Sequence, residues 1–194
     1  AQPYRAIIDY LAETSSGIIR PQDSETRHFL IDLPVADTFS TDAIGLLLKH
    51  RAHVVIPQYG IVTTGAETME QAFVAFSSVC FACFVKFFSD FLKDAKSGKL
   101  TRKQRKTFET VVDVLDGPAA FDGTLAKSPF ASEDEMVAAI CEAGRKIVEL
   151  RLVDSNFGNI AYCYKDRLFI SRTGSFLDSL ETNIVVCSLD ESSP

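Results

Sequence analysis

Histidine is scarce: the chain has three, His28, His50 and His53. His50 and His53 lie three apart across the expected end of a helix and start of a strand, and an odd separation on a strand sends side chains to opposite faces. They are not expected to share a metal, and surface or packing roles are the better reading. The five cysteines form an odd set without disulfide spacing or a recognisable secretory leader, so a reducing, cytoplasmic setting is expected. Cys80 and Cys83 make a C-x-x-C, but no second pair completes a zinc site, and their apolar surroundings, FVAFSSVCFACFVKFF, read as core. An uncharged apolar span of about twenty residues is also missing. Ser77, Ser78, Lys86, Ser89 and Asp90 interrupt the longest apolar stretch, which reads as a buried helix. The chain lacks a long basic block, and its net charge of −6 and pI near 5.1 argue against nucleic acid or an anionic membrane as partner. The only basic cluster, KLTRKQRK at 99–106, reads as the solvated face of a helix.

What remains, 194 residues with 46% hydrophobic and 24% charged, suits one soluble globular domain with a substantial core. Apolar spacing predicts a first helix over 4–13, then a short strand at Ile18 and Ile19 that ends before Pro21. A strand over 29–33, a helix over 41–50 capped by Ser40 or Thr41, and a β-rich run over 52–64 broken at 57–60 follow. Helices are then expected over 67–96 and 101–115, separated by Gly98. The Gly/Pro/Ala/Ser-rich segment 116–132 reads as a linker, and Ser132-x-x-Glu135 as the capping box of the next helix. Beyond that helix, 154–180 is organised by two Gly-containing turns, Phe157-Gly158-Asn159 and Arg172-Thr173-Gly174-Ser175, separated by two alternating runs. Such turns either form plain hairpins or put backbone N–H groups and short polar side chains on one sheet edge, the chemistry of a small anion site. A final strand is expected over 183–189.

The helix EMVAAICEAGRKIVELRLVD and the stretch after it resemble the opening half of the class II aldolase/adducin family, which runs helix, S-G-x-G-N-I-S, strand pair, T-G-S-x-L. Gly158 and Asn159 match the first motif, and Thr173, Gly174 and Ser175 the second; in the family these residues help hold a sugar phosphate. HVVIPQYGIVTTGAETMEQAF resembles the family's late segment N-H-G-x-V-x-x-G and its acidic helix start, and SGIIRPQDSE stands where the family has a strand ending in H-x-H. The resemblance therefore covers nearly the whole chain in reversed order, with 1–115 as the family's second half, 116–132 as the linker and 133–194 as its first half. A circular permutation and a tandem protein cut between repeats both give that order. The resemblance implies a single three-layer α/β/α domain with a central, largely antiparallel sheet, and a homo-oligomer, by default a tetramer. Ser192 and Ser193 stand for the family's S-S-E pair, whose Glu falls at Pro194 or beyond.

Family enzymes hold a divalent metal through three histidines, and the matching positions here are Arg20, Gln22 and Tyr59. Arginine stays protonated, and neutral Gln and Tyr coordinate poorly, so no metal or other cofactor is expected. The retained residues hold oxyanions: Asn159, Thr173, Gly174, with Ser192 and Ser193, and Arg20 is expected to add a fixed positive charge to the same phosphate pocket. A non-catalytic binding or assembly protein with a sugar-phosphate or anion pocket is the first reading. The alternative is a metal-independent sugar-phosphate lyase or epimerase in which Arg20 supplies fixed positive charge. A third is that the turns are purely structural.

Overall fold

A computed structural model describes residues 3–115, 124–153 and 158–189. The chain divides into two compact units, Ala1–Leu115 and Asp116–Pro194. Both chain ends, residues 116–123 of the expected linker and Phe157 of the first glycine-containing turn lie outside the described residues.

In the first unit, α1 (Tyr4–Thr14) buries Ile7, Ile8, Leu11 and Ala12 on one face, as its spacing predicts. β1 (Ile18–Ile19) pairs antiparallel with β2 (Leu33–Pro34), Ile18 opposite Pro34. Of the strand expected over 29–33, Phe29 and Leu30 are helical instead and only Leu33 is strand. The Asp23 carboxylate accepts the N–H groups of Glu25 (3.1 Å) and Thr26 (2.7 Å), which starts the short α2 (Thr26–Leu30). Ile31, at φ +65, ends that helix, so His28 is helical and only Leu33 and Pro34 are left to pair. α3 (Thr41–Leu48) is capped by Ser40, whose Oγ accepts Ala43 N–H at 3.2 Å. β3 (His53–Ile56) and β4 (Gly60–Thr63) form a second antiparallel ribbon, and a single parallel bridge, Val35 to Val55, joins the two ribbons.

α4 (Met69–Ser97) starts at a capping box in which Thr68 Oγ1 accepts Gln71 N–H while the Gln71 side chain reaches back to Thr68 N–H. It stops at Gly98, φ +70, a left-handed position that costs glycine little. By length and composition α4 could cross a membrane. Here Val79, Ala82, Cys83 and Phe87 form a buried stripe at helical spacing that packs with Ile7, Leu11, Ile19, Leu30 and Leu33. Cys80 and Cys83 are core residues, and burial pushes the Cys83 thiol well above its ordinary value, so it stays protonated. α5 (Arg102–Val112) closes against α4 through Phe91 and Phe108, stacked with centroids 4.1 Å apart.

In the second unit, α6 (Glu133–Glu149) is capped by Ser132 Oγ, which accepts Glu135 N–H at 3.1 Å. The Glu135 carboxylate returns to Ala131 N–H, one residue before the position the capping box predicts. β5 (Ala161–Tyr164), β6 (Arg167–Ser171) and β7 (Ile184–Ser188) make one antiparallel sheet in sequence order. Lys165 and Asp166, both at positive φ, form the two-residue β5–β6 turn. Met136, Ile140 and Cys141 of α6 pack with Phe169, Leu177 and Leu180. Both units are thus mixed α/β with small antiparallel sheets.

Candidate functional site

The end of the β5–β6 hairpin opposite the Lys165-Asp166 turn carries the polar residues of 158–175. Beyond the last ladder pair, Ala161 with Ile170, Ser171 N–H donates to Ile160 O at 2.9 Å. The Ser171 hydroxyl accepts Ile160 N–H at 3.1 Å and donates towards Asn159 Oδ1 at 3.5 Å. Asn159 is exposed, whereas Ser171 is 3% exposed, so the buried hydroxyl ties the carbonyl end of the Asn159 amide and leaves Nδ2 without a partner among the described residues.

The next turn stands at the same end. Ser175 N–H and Ser175 Oγ both donate to Arg172 O, at 3.0 and 2.7 Å, and Gly174 takes φ +77 at the third turn position, where a Cβ would be strained. Among the described residues nothing accepts the N–H groups of Thr173 or Gly174, and the Thr173 hydroxyl is likewise unpaired. Arg172, exposed and without an ion pair among the described residues, adds a cation that the motif comparison missed. Ser171 was missed too. The signal for both is their position in the sequence ISRTG, flanking the turn, since a residue ending a strand and one opening a turn share the sheet end with it. Asn159, Thr173 and Gly174 are therefore placed at one sheet end, with donors suited to an oxyanion. Ser192 and Ser193 lie outside the described residues.

The three residues that the motif resemblance sets at metal-ligand positions belong to the first unit. Arg20 is exposed and lies 3.9 Å from Asp32 Oδ2, Gln22 is exposed, and Tyr59 stacks on Phe39 with centroids 4.4 Å apart. No hydrogen bond joins Arg20, Gln22 and Tyr59 among the described residues. These side chains do not fit a divalent metal, because one is a guanidinium in an ion pair and another presents a ring face to a phenyl group. Among the described residues no group of three or more His, Cys, Asp or Glu is gathered as metal donors. The Pro57 to Gly60 turn that carries Tyr59 is clamped to α1: Asp9 Oδ1 accepts Gln58 N–H at 2.8 Å and Arg5 donates to Gln58 O at 3.0 Å. An open groove of about 570 Å³ runs along α3, with Phe39, Ile44 and Leu48 in its wall, and holds none of the expected residues.

A tighter polar arrangement, absent from the sequence reading, surrounds Asp32. Arg51 grips its carboxylate through Nε (2.7 Å) and Nη2 (3.2 Å), and donates through Nη1 to His50 O at 2.8 Å. His53 is buried, with Nε2 2.7 Å from Asp32 O and Nδ1 without a partner among the described residues, which assigns the proton to Nε2. Burial holds the His53 imidazole below its ordinary value and the nearby Arg51 charge acts in the same direction, against the opposing effect of the Asp32 carbonyl and carboxylate. His50 and His28 are exposed.

No family profile matches the chain, and no curated protein sequence does either. In structure the chain is similar to the L-fuculose-1-phosphate aldolase from Thermus thermophilus, with 17% sequence identity and a TM-score of 0.41 over 47% of this chain and 52% of that one. The chain thus spans about half the length of that aldolase.

Proposed function

We propose that this chain is a class II aldolase/adducin-like protein that binds a small phosphorylated sugar or related anion at the Asn159 end of the β5–β6 hairpin, and that it serves in binding or assembly rather than in aldol cleavage. The observation that carries the reading is the set of unused donors at that end: Asn159 Nδ2, the N–H groups of Thr173 and Gly174, and the Arg172 guanidinium. Charge-assisted hydrogen bonds from such a set hold a phosphate without further machinery. Carbon–carbon cleavage also needs an acid/base group and strong stabilisation of an enediolate. The positions that would supply the metal are Arg20, Gln22 and Tyr59, which do not coordinate one.

In this reading the two units are the family's halves in exchanged order within one three-layer domain, by permutation or by tandem repetition, and the assembly is a homo-oligomer. The alternative, a metal-independent lyase or epimerase, has no support from Arg20, whose ion-pair partner Asp32 is already gripped by Arg51.

Calorimetric titration with inorganic phosphate and with a ketose or aldose phosphate tests the proposal. Wild type should bind weakly, and Asn159→Ala and Arg172→Ala should each weaken binding several-fold. Equal affinity in all three proteins would remove the hairpin end from the site. Metal-independent release of a triose phosphate, lost in Asn159→Ala, would replace the non-catalytic reading with the lyase.

A further inference from the structure

Residues 93–106 hold seven Lys or Arg and a single acid, Asp94, a net +6 within a chain whose total is −6. They form the corner where α4 ends and α5 begins. Every one of the seven cations is exposed, while Asp94 is partly buried and takes a hydrogen bond from Gln104 Nε2 at 3.0 Å. Lys103 pairs with Glu13 of α1. The other six, Lys93, Lys96, Lys99, Arg102, Arg105 and Lys106, have no ion pair among the described residues. The contrast is local. Elsewhere in the first unit Arg5, Arg20, Arg51 and Lys86 sit beside a carboxylate, and the two cations without an ion pair among the described residues, Arg27 and Lys49, stand apart in sequence rather than clustered.

Two physical costs accompany this arrangement. Like charges three and four apart on a helix repel by a few tenths of a kcal/mol each. Arg102 and Lys103 also occupy the first turn of α5, where the helix macrodipole favours acids, and no acid is present there. The corner is nonetheless held firmly. Phe108 stacks on Phe91, Thr101 Oγ1 accepts Gln104 N–H at 3.1 Å, and Gly98 makes the bend. A rigid, uncompensated positive surface loses little freedom when an anion docks, and the anion relieves its self-repulsion.

We propose that the α4–α5 corner is a docking surface for an acidic protein segment. The residue types favour carboxylates over nucleic acid. Four of the six unpaired cations are lysines, point charges without the planar fork that grips phosphate. The aromatic rings of the corner, Phe91 and Phe108, are stacked on each other and offer no platform for bases. Leu92, 66% exposed beside Lys93 and one turn before Lys96, gives the segment an apolar contact. The sequence alone does not separate this surface from an ordinary solvated helix face, because the missing ion pairs become visible only when both helices are in place.

The test uses the full chain and a fluorescent synthetic peptide of about twelve residues, alternating Glu and Asp around a central Leu, read by anisotropy. Arg102→Glu with Lys106→Glu should weaken binding at least tenfold, whereas Arg27→Glu with Lys49→Glu, an equal change in net charge away from the corner, should change it less than twofold. Arg102→Glu places an acid in the first turn of α5, so the corner variant should melt no lower than wild type, which separates lost docking from lost folding. Equal loss in both double variants, no loss in either, no binding of the peptide by wild type, or tighter binding of a DNA duplex than of the peptide at about 150 mM salt overturns the proposal.

Discussion

Asp32 holds two guanidinium groups and, through its backbone carbonyl, the only strongly buried histidine among the described residues. Because Arg51 meets it through two hydrogen bonds in a half-buried setting, Asp32→Ala should cost about 1–3 kcal/mol in urea unfolding. His53 makes stability depend on pH with a definite sign. Its folded value lies below its unfolded one, so as pH falls from the ordinary histidine range towards the folded value, the unfolded chain takes up a proton that the folded chain refuses. Stability should therefore fall with pH across that window, and below the folded value this contribution should level off. His53→Gln keeps a donor for Asp32 O and should show a shallower fall between about pH 7.5 and 5.5; an identical slope in the two proteins would remove His53 as the cause. Neither residue was legible as a pair in the sequence, since 21 positions separate His53 from Asp32 and only the strand pairing brings them together. That Asn159 and the Thr173-Gly174 turn fall at one end of a hairpin was legible, because local turn chemistry and a short hairpin set their places.

The elements were most legible where a cap announces them. Ser40, Thr68, Thr101 and Ser132 all accept an N–H at the start of their helices. The misplaced strand at 29–33 arose because the Asp23 carboxylate starts a helix that its apolar residues alone do not suggest. Two glycines separate packing from propensity. A Cβ on Gly144 of α6 would meet Leu177 O at 2.1 Å, so Gly144→Ala must push the 176–180 loop off the helix. We expect a loss of about 1–3 kcal/mol, with weaker anion binding because that loop continues directly from the Thr173-Gly174 turn. Gly45 of α3 has open space at the same atom, so Gly45→Ala should stabilise by roughly 0.5–1 kcal/mol. Thermal melts of both variants check the pair, and a destabilised Gly45→Ala would contradict the open environment.

At the scale of the whole molecule, the assembly part of the proposal has its own handle. Met69, Phe73 and Phe76 recur at helical spacing along α4 and are 83%, 51% and 43% exposed. If they meet a second copy, sedimentation should give an oligomer that Phe73→Asp with Phe76→Asp reduces to monomer; unchanged sedimentation would place the contact elsewhere. The exchanged order of halves is an expectation from motifs alone, and physical pattern could not supply it, because each unit satisfies its own helix and strand periods whichever comes first. The most direct measurement of the central claim is an amide-resolved NMR titration with inorganic phosphate. The account predicts saturable shifts of the Thr173 and Gly174 amides and the Asn159 side-chain amide, weakened in Arg172→Ala. Shifts confined to the α4–α5 corner, or none at the hairpin end, would contradict it.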